Sequence, residues 1–96
     1  MLWKTVVSKE ISEGIRQFGL PRNVMVDFCN KIHHDIPELY SRLRGHRVSG
    51  DERFYWHNIK VPDGADLHLF AVNIDDTTAN GMLILNKILY RKITHG

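Results

Sequence analysis

The chain has 96 residues, of which 43% are hydrophobic and 25% charged, and its formal net charge is +2. This length fits one domain with one modest core, and so weak a positive charge does not by itself indicate nucleic-acid binding. The single cysteine, Cys29, excludes an internal disulfide and suits a reducing compartment. No stretch is apolar enough to span a bilayer, and residues 1–4 lack a signal-peptide pattern. We therefore expect a cytoplasmic protein.

The first half of the chain predicts one strand followed by two helices. Residues 3–7 are short, apolar and β-prone, and Ser8 can cap the helix expected over 9–18. A second helix is expected over 22–44, interrupted by a new N-cap at Asp35. Its buried stripe is predicted to contain Val24, Met25, Phe28, Ile32 and Ile36, with Cys29 as a core thiol on or beside it.

The second half predicts a meander of three antiparallel strands. Three β-rich runs, 53–61, 67–74 and 82–91, are separated by segments rich in Asp, Asn and Gly. The economical arrangement is an α+β domain spanning residues 1–96. It consists of a small antiparallel sheet that includes the N-terminal strand, with a two-helix hairpin packed on one face.

A two-residue turn at Asp63 and Gly64 would set the register of the first hairpin. It would place His57 opposite Phe70 and make His57 and His68 diagonal neighbours on one face, roughly 7–8 Å apart. That face would also carry Ile59, Val72, Ile74, Ile84, Ile88 and Tyr90. The face expected to meet the helices would carry Phe54, Trp56, Leu67, Leu69, Leu83, Leu85 and Leu89.

Two points about these faces stay open at the level of sequence. A tight turn at Asn80 and Gly81 would move Lys87 and Tyr90 to the opposite faces, because side chains alternate along a strand. In addition, a sheet that is apolar on both faces needs a cover on both. We therefore expect Ile59, Phe70, Val72 and Ile84 to form an uncovered patch. It would be met by a partner chain, by a second copy of the chain, or by the end of the second helix.

The order of elements and several short motifs resemble the RelE/ParE-type toxins of bacterial toxin–antitoxin modules. A Leu-x-Gly junction stands at 43–45, before a strand led by Arg53. The third strand ends in Ile-Asp-Asp at 74–76, and the last strand has Lys87 three residues before Tyr90. The chain departs from the family at 57–60, which read His-Asn-Ile-Lys instead of Gly-Asp-Tyr-Arg. It also departs at 85–87, which read Leu-Asn-Lys instead of Gly-His-Arg.

The resemblance implies a toxin-type mRNA endonuclease that cleaves RNA without a metal or cofactor and is neutralised by an antitoxin. Such cleavage needs a group to activate the 2′-hydroxyl, cations to stabilise the phosphorane, and an acid for the leaving oxygen. The cations would be Arg53, Lys87 and Arg91, and a proton would move through Tyr90 or His57, with His68 as a further candidate. The alternative on the same fold is a non-catalytic protein-binding module. Such a module would be either an inactive relative of the toxins or an inhibitor of a protein target.

RNA binding would involve further basic residues, and metal binding is not expected. The predicted phosphate contacts are Arg42, Arg44, Arg47, Lys60 and Lys92. The alternative for each is a solvated cation, at a helix end or on a strand. His33 and His34 do not form a metal site in this interpretation, because neighbouring histidines on a helix point apart.

Overall fold

The architecture is a four-stranded sheet with helices packed on one face, as seen in a computed structural model. The structure describes residues 3–43, 54–75 and 81–95. The helical elements are α1 (Lys9–Gln17), α2 (Arg22–Asn30), a π-helical segment (Lys31–Asp35) and α3 (Ile36–Leu43). The strands are β1 (Lys4–Val7), β2 (Phe54–Asp63), β3 (Asp66–Asp75) and β4 (Met82–Thr94). The predicted α+β class and element order are confirmed.

The sheet is mixed, whereas the sequence predicted an antiparallel one. Its strand order is β1-β4-β3-β2, and both hairpin pairs, β2 with β3 and β3 with β4, are antiparallel. β1 pairs parallel to β4, with Lys4 opposite Met82 and Val7 opposite Leu85. All the described helical elements as well as β2 and β3 lie between β1 and β4 in the chain, so the connection is long enough for a parallel pair.

The core lies between the helices and one face of the sheet, here called the helix-covered face. Phe28 of α2 packs against Phe70 of β3 with ring centroids 4.5 Å apart, and Phe18 stacks on Tyr90 at 4.8 Å. Gly14 lets α1 approach β4, because a Cβ at this position would lie 3.3 Å from Ile88 Cγ2. The buried hydrophobic residues are Ile11, Val24, Phe28, Ile32, Ile36, Tyr40, Ile59, Val61, Phe70, Val72, Ile74, Leu83 and Leu85.

The second helix runs on through the position where a new N-cap was predicted. α2, the π-helical segment and α3 follow one another without a break, and the Ile36 N–H donates to the Lys31 carbonyl, five residues back. Pro37 explains the wider turn, because it has no N–H and its ring would collide with the carbonyl four residues earlier. The prediction of an N-cap at Asp35 was therefore wrong.

Cys29 is also placed differently from the prediction. The thiol is free and exposed, while Phe28 beside it is fully buried. One residue corresponds to about 100° around a helix, so the neighbour of a buried residue can face solvent. The prediction of a core thiol was wrong.

The first hairpin turns one residue later than predicted. Asp63 pairs with Asp66, so the two-residue loop consists of Gly64 and Ala65, and Gly64 has a φ of 60°. A glycine with positive φ at the first loop position is typical of a type II′ turn. The pairing shifts by two residues, and His57 faces Val72 instead of Phe70. His57 and His68 are therefore not diagonal neighbours.

The two faces are exchanged relative to the prediction in β2, β3 and the second half of β4, whereas Leu83 and Leu85 meet the helices as predicted. Ile59, Phe70 and Val72 are at most 3% exposed and belong to the helix-covered face, whereas Ile84 lies on the opposite face. The expected apolar patch of these four residues does not exist, because the chain's own helices cover three of them. Leu67, Leu69, Leu89 and Trp56, which were expected to meet the helices, lie on the opposite face.

A β-bulge in β4 separates two halves of this strand. Ile74 pairs with Leu85, but Asn73 pairs with Lys87, so Asn86 is an extra residue without a partner position on β3. Alternation therefore shifts by one residue at the bulge. Leu85 before the bulge and Ile88 after it both face the helices.

Candidate functional site

The candidate site lies on the sheet face opposite the helices, here called the open face. The described helices all pack on the other side, and the large hydrophobic residues Trp56 and Leu89 of this face are 47% and 61% exposed. Three cross-strand rows define its centre. They contain Trp56, Asn73 and Lys87; Asn58, Ala71 and Leu89; and Lys60, Leu69 and Arg91.

The sheet curls, and the centre of the open face forms a shallow groove of about 350 Å³. Leu69 and Ala71 from the central strand β3 form its apolar floor, and Leu89 lines it from β4. Lys60 and Arg91 stand on opposite sides of Leu69, on the two outer strands of the meander. The groove thus combines an apolar floor with a cation on each side.

Three of the predicted site cations are brought to this face. Lys60, Lys87 and Arg91 are all exposed there, and Lys87 and Arg91 are four residues apart on β4. This spacing corresponds to about 13 Å along a strand. The three cations can therefore meet several anionic groups of one extended or helical partner.

Two further predicted RNA-binding residues, Lys92 and Arg42, do not join this group. Lys92 is opposite His68 in the register and lies at the end of the helix-covered face, and Arg42 is exposed on α3 in the helical layer. Arg44, Arg47 and Arg53 lie outside the described residues, so their predicted roles stay predictions.

Neither Tyr90 nor His57, the predicted proton carriers, reaches the open face. Both lie on the helix-covered face, whereas Arg91, next to Tyr90 in the chain, lies on the open face. The expected gathering of Lys87, Tyr90 and Arg91 at one site is therefore wrong, because neighbouring strand residues point to opposite faces. Burial lowers the pKa of His57 below its ordinary value of 6.5.

Tyr90 instead forms a buried cluster with His68 at the hairpin end of the sheet. The Tyr90 hydroxyl lies 2.7 Å from Nδ1 of His68, which is only 2% exposed. His68 Nε2 faces Asp63 Oδ2 at 3.9 Å, beyond hydrogen-bond distance, and Asp63 accepts from Asn23 of α2 at 2.9 Å. This cluster ties β2, β3, β4 and the start of α2 together.

Tyr90 is suited to be a hydrogen-bond donor in this cluster. Burial, followed by the negative charge of Asp66, raises the pKa of the Tyr90 hydroxyl above its ordinary value of 10.0. The phenol thus keeps its proton at neutral pH and can donate it to Nδ1 when Nε2 carries the imidazole proton. The Tyr90 ring also contacts the rings of Phe18 and Phe70, so Tyr90 has a structural role in the core.

The described residues contain no metal-binding group and no membrane-spanning helix. Within 3–43, 54–75 and 81–95, no three His, Cys, Asp or Glu residues come together in a metal-binding group. Over the same ranges, none of the helices has the length and apolar character needed to cross a bilayer.

The bulge that places the cations cannot be recognised from the sequence alone. On the helix-covered face, apolar residues stand at odd positions before Asn86, namely Leu83 and Leu85, and at even positions after it, namely Ile88 and Tyr90. Such a change of parity is typical of a bulge. However, Ile84 and Leu89 on the other face are equally apolar, so the change is visible only when the faces are known.

Searches against protein-family models, curated proteins and solved structures found no match.

Proposed function

We propose that the chain is a binding module whose open face holds a partner segment that carries both apolar and anionic side chains. The observation that supports this function best is the groove itself, with its floor of Leu69 and Ala71 between Lys60 and Arg91. Exposed Trp56 and Leu89 extend the apolar surface, and such surfaces on small proteins mark interaction sites.

The partner that fits this surface best is an acidic amphipathic helix. A sheet that is apolar on both faces is usually covered by helices on both, and the described helices cover one face only. Leucine-like side chains at i and i+4 would enter the groove, and flanking carboxylates would meet Lys60, Lys87 and Arg91. An antitoxin of the kind implied by the RelE/ParE resemblance would be one such partner, and a cytoplasmic location is part of this proposal.

A second copy of the chain fits the open face less well. Lys60, Lys87 and Arg91 would approach their own counterparts if two open faces met about a twofold axis. Like charges brought together at an interface oppose association. The charge of the described open-face residues thus favours a partner of different sequence.

The test is direct binding of a designed acidic amphipathic peptide, labelled with fluorescein, to the full chain. The double variant Lys60→Gln/Arg91→Gln should bind it about ten- to a hundredfold more weakly, since each charge contributes of the order of 1 kcal/mol. The control, Lys9→Gln/Arg16→Gln, removes the same charge from exposed positions on α1 and should bind like the wild type. A peptide of scrambled sequence checks the need for one apolar face.

Metal-independent RNA cleavage is the second candidate, supported by the three cations on one face. These cations could contact the phosphates of single-stranded RNA, and Trp56 could stack on a base. The placement of Tyr90, His57 and His68 on the helix-covered face favours binding over catalysis, since none of these proton carriers reaches the groove.

Two experiments distinguish the binding module from the endonuclease. The first incubates the protein with a single-stranded RNA of mixed sequence, and the second follows growth and transcript ends after induced expression in bacteria. Cleavage of the RNA in the absence of metal, or new transcript ends together with arrested growth, would favour the endonuclease. Binding of the acidic peptide without RNA cleavage, and normal growth on expression, would favour the binding module. Equal binding by the wild type and the Lys60→Gln/Arg91→Gln variant would reject the open face as the site.

A further inference from the structure

The bulge at Asn86 decides which side chains of β4 reach the open face. Leu85 faces the helices, and strict alternation would send Lys87 and Arg91 to the same side. The extra residue turns both cations to the open face and leaves Ile88 and Tyr90 for the core. The groove therefore depends on one inserted position in β4.

The bulge is anchored by Ser8, where β1 ends and α1 begins. The Ser8 N–H donates to the Leu85 carbonyl at 3.1 Å, and the Ser8 hydroxyl donates to the Asn86 carbonyl at 3.3 Å. The last β1–β4 pair, Val7 with Leu85, comes just before these two bonds. Ser8 makes no side-chain cap to α1, so its described hydroxyl contact is with the bulge.

We propose that Asn86 and Ser8 are positioning residues of the groove. Asn86 turns Lys87 and Arg91 to the open face, and Ser8 holds the bulge so that these cations keep a fixed arrangement opposite Lys60. The inference rests on the proposed function, because it concerns how the open face receives an anionic partner. Bulges next to functional sites commonly re-aim side chains in this way.

The binding test compares Ser8→Ala with Ser12→Ala, using the same acidic amphipathic peptide. Ser12 is a matched control, because its hydroxyl donates to the Ser8 carbonyl at 3.3 Å within the first turn of α1. Ser8→Ala should weaken binding about two- to tenfold, the value of one lost hydrogen bond. Ser12→Ala should bind like the wild type, and thermal unfolding of both variants checks that the fold is retained.

A labelling experiment reports the position of β4 independently of binding. In a Cys29→Ser background, a single thiol is introduced by Leu89→Cys on the open face or by Ile88→Cys on the helix-covered face. Adding Ser8→Ala should raise the labelling rate at position 88 about threefold or more, because local opening exposes the covered side. The rate at position 89, which is already 61% exposed, should stay unchanged.

The binding and labelling experiments distinguish the positioning role of Ser8 and Asn86 from the proposed function of the open face. Weaker peptide binding with Ser8→Ala, together with faster labelling at position 88, supports the positioning role. If Lys60→Gln/Arg91→Gln loses binding but Ser8→Ala changes neither binding nor labelling, the positioning role is overturned and the proposed function stands. If neither variant alters binding, both are overturned.

Discussion

The two faces of the sheet both contain apolar residues but differ in burial. Both faces carry branched apolar residues from the same strands, yet Phe70 and Val72 are at most 2% exposed while Leu89 is 61% exposed. The helix-covered face packs aromatic rings against α1 and α2, and the open face combines its apolar residues with Lys60, Lys87 and Arg91. Apolar character alone therefore does not show which face of a sheet is the core.

The distribution of charge separates the two faces more clearly than hydrophobicity does. The helix-covered face also contains polar groups, among them His68, whose Nδ1 bonds to the Tyr90 hydroxyl. The exposed cations of the open face need no such partner, because water solvates them. Substitutions on the two faces should consequently affect different properties, with stability dependent on one face and partner binding on the other.

The largest difference is expected between Phe70→Ala and Leu89→Ala. Phe70 contacts the rings of Phe28 and Tyr90 with centroids 4.5 and 5.0 Å apart, so its removal should cost about 3–5 kcal/mol. Leu89→Ala should change the free energy of unfolding by less than about 0.5 kcal/mol. Urea denaturation of both variants measures the difference, and equal losses would contradict the assignment of the faces.

A smaller loss is expected from Tyr90→Phe. This change leaves His68 Nδ1 buried without its phenol partner, which should lower the free energy of unfolding by about 1–3 kcal/mol. The double variant with His68→Leu removes both polar groups and should recover part of that loss. A Tyr90→Phe protein as stable as the wild type would show that the bond contributes nothing net.

The pH dependence of stability should include a contribution from His57. Its pKa is lowered in the folded state by burial, so below about pH 6.5 the unfolded chain binds a proton that the folded chain does not. Stability should fall as the pH falls below 6.5, and the fall should level off below the folded-state pKa. Thermal unfolding at pH 7.5 and 5.5 should show a smaller difference for His57→Gln than for the wild type. An equal difference would contradict the prediction.

The smallest effect on stability is expected from Arg91→Gln, although Arg91 is next to Tyr90 in the chain. Arg91 is exposed on the open face, so its replacement should change the free energy of unfolding by less than about 0.5 kcal/mol. The same variant should weaken binding of the acidic peptide, and more so at low salt, where surface charges are least screened. A large loss of stability would place Arg91 in a packed environment.

The sequence predicted the elements well and their faces poorly. Helical spacing and β-rich runs depend on local residues, and the bounds of α1, β3 and β4 came out within a few residues of prediction. Alternation shows that Ile59 and Phe70 share one face of the sheet, but it does not show whether the helices pack on that face or on the other. The hairpin loop at Gly64 and Ala65 shifted the pairing, and the bulge at Asn86 moved Arg91 away from Tyr90.

An uncovered sheet face was expected, but its residues were misassigned because they are individually ordinary. Lys60, Lys87 and Arg91 were recognised as candidate cations, but only the three-dimensional register brings them to the same groove as Leu69. The His68–Tyr90 cluster joins residues 22 positions apart, and nothing in the local sequence of either residue marks the bond.

The parallel pairing of β1 with β4 has a consequence for how the chain folds. The β1–β4 contact joins residues such as Ser8 and Asn86, which are 78 positions apart, whereas the hairpins of β2, β3 and β4 close between neighbours. Long-range strand pairing loses chain entropy on closing the loop before any contacts form, and it is therefore slow. During synthesis, β1 cannot join the sheet until residues 82–85, with which it pairs, have left the ribosome. β1 is made before the other three described strands and is thus expected to dock after them.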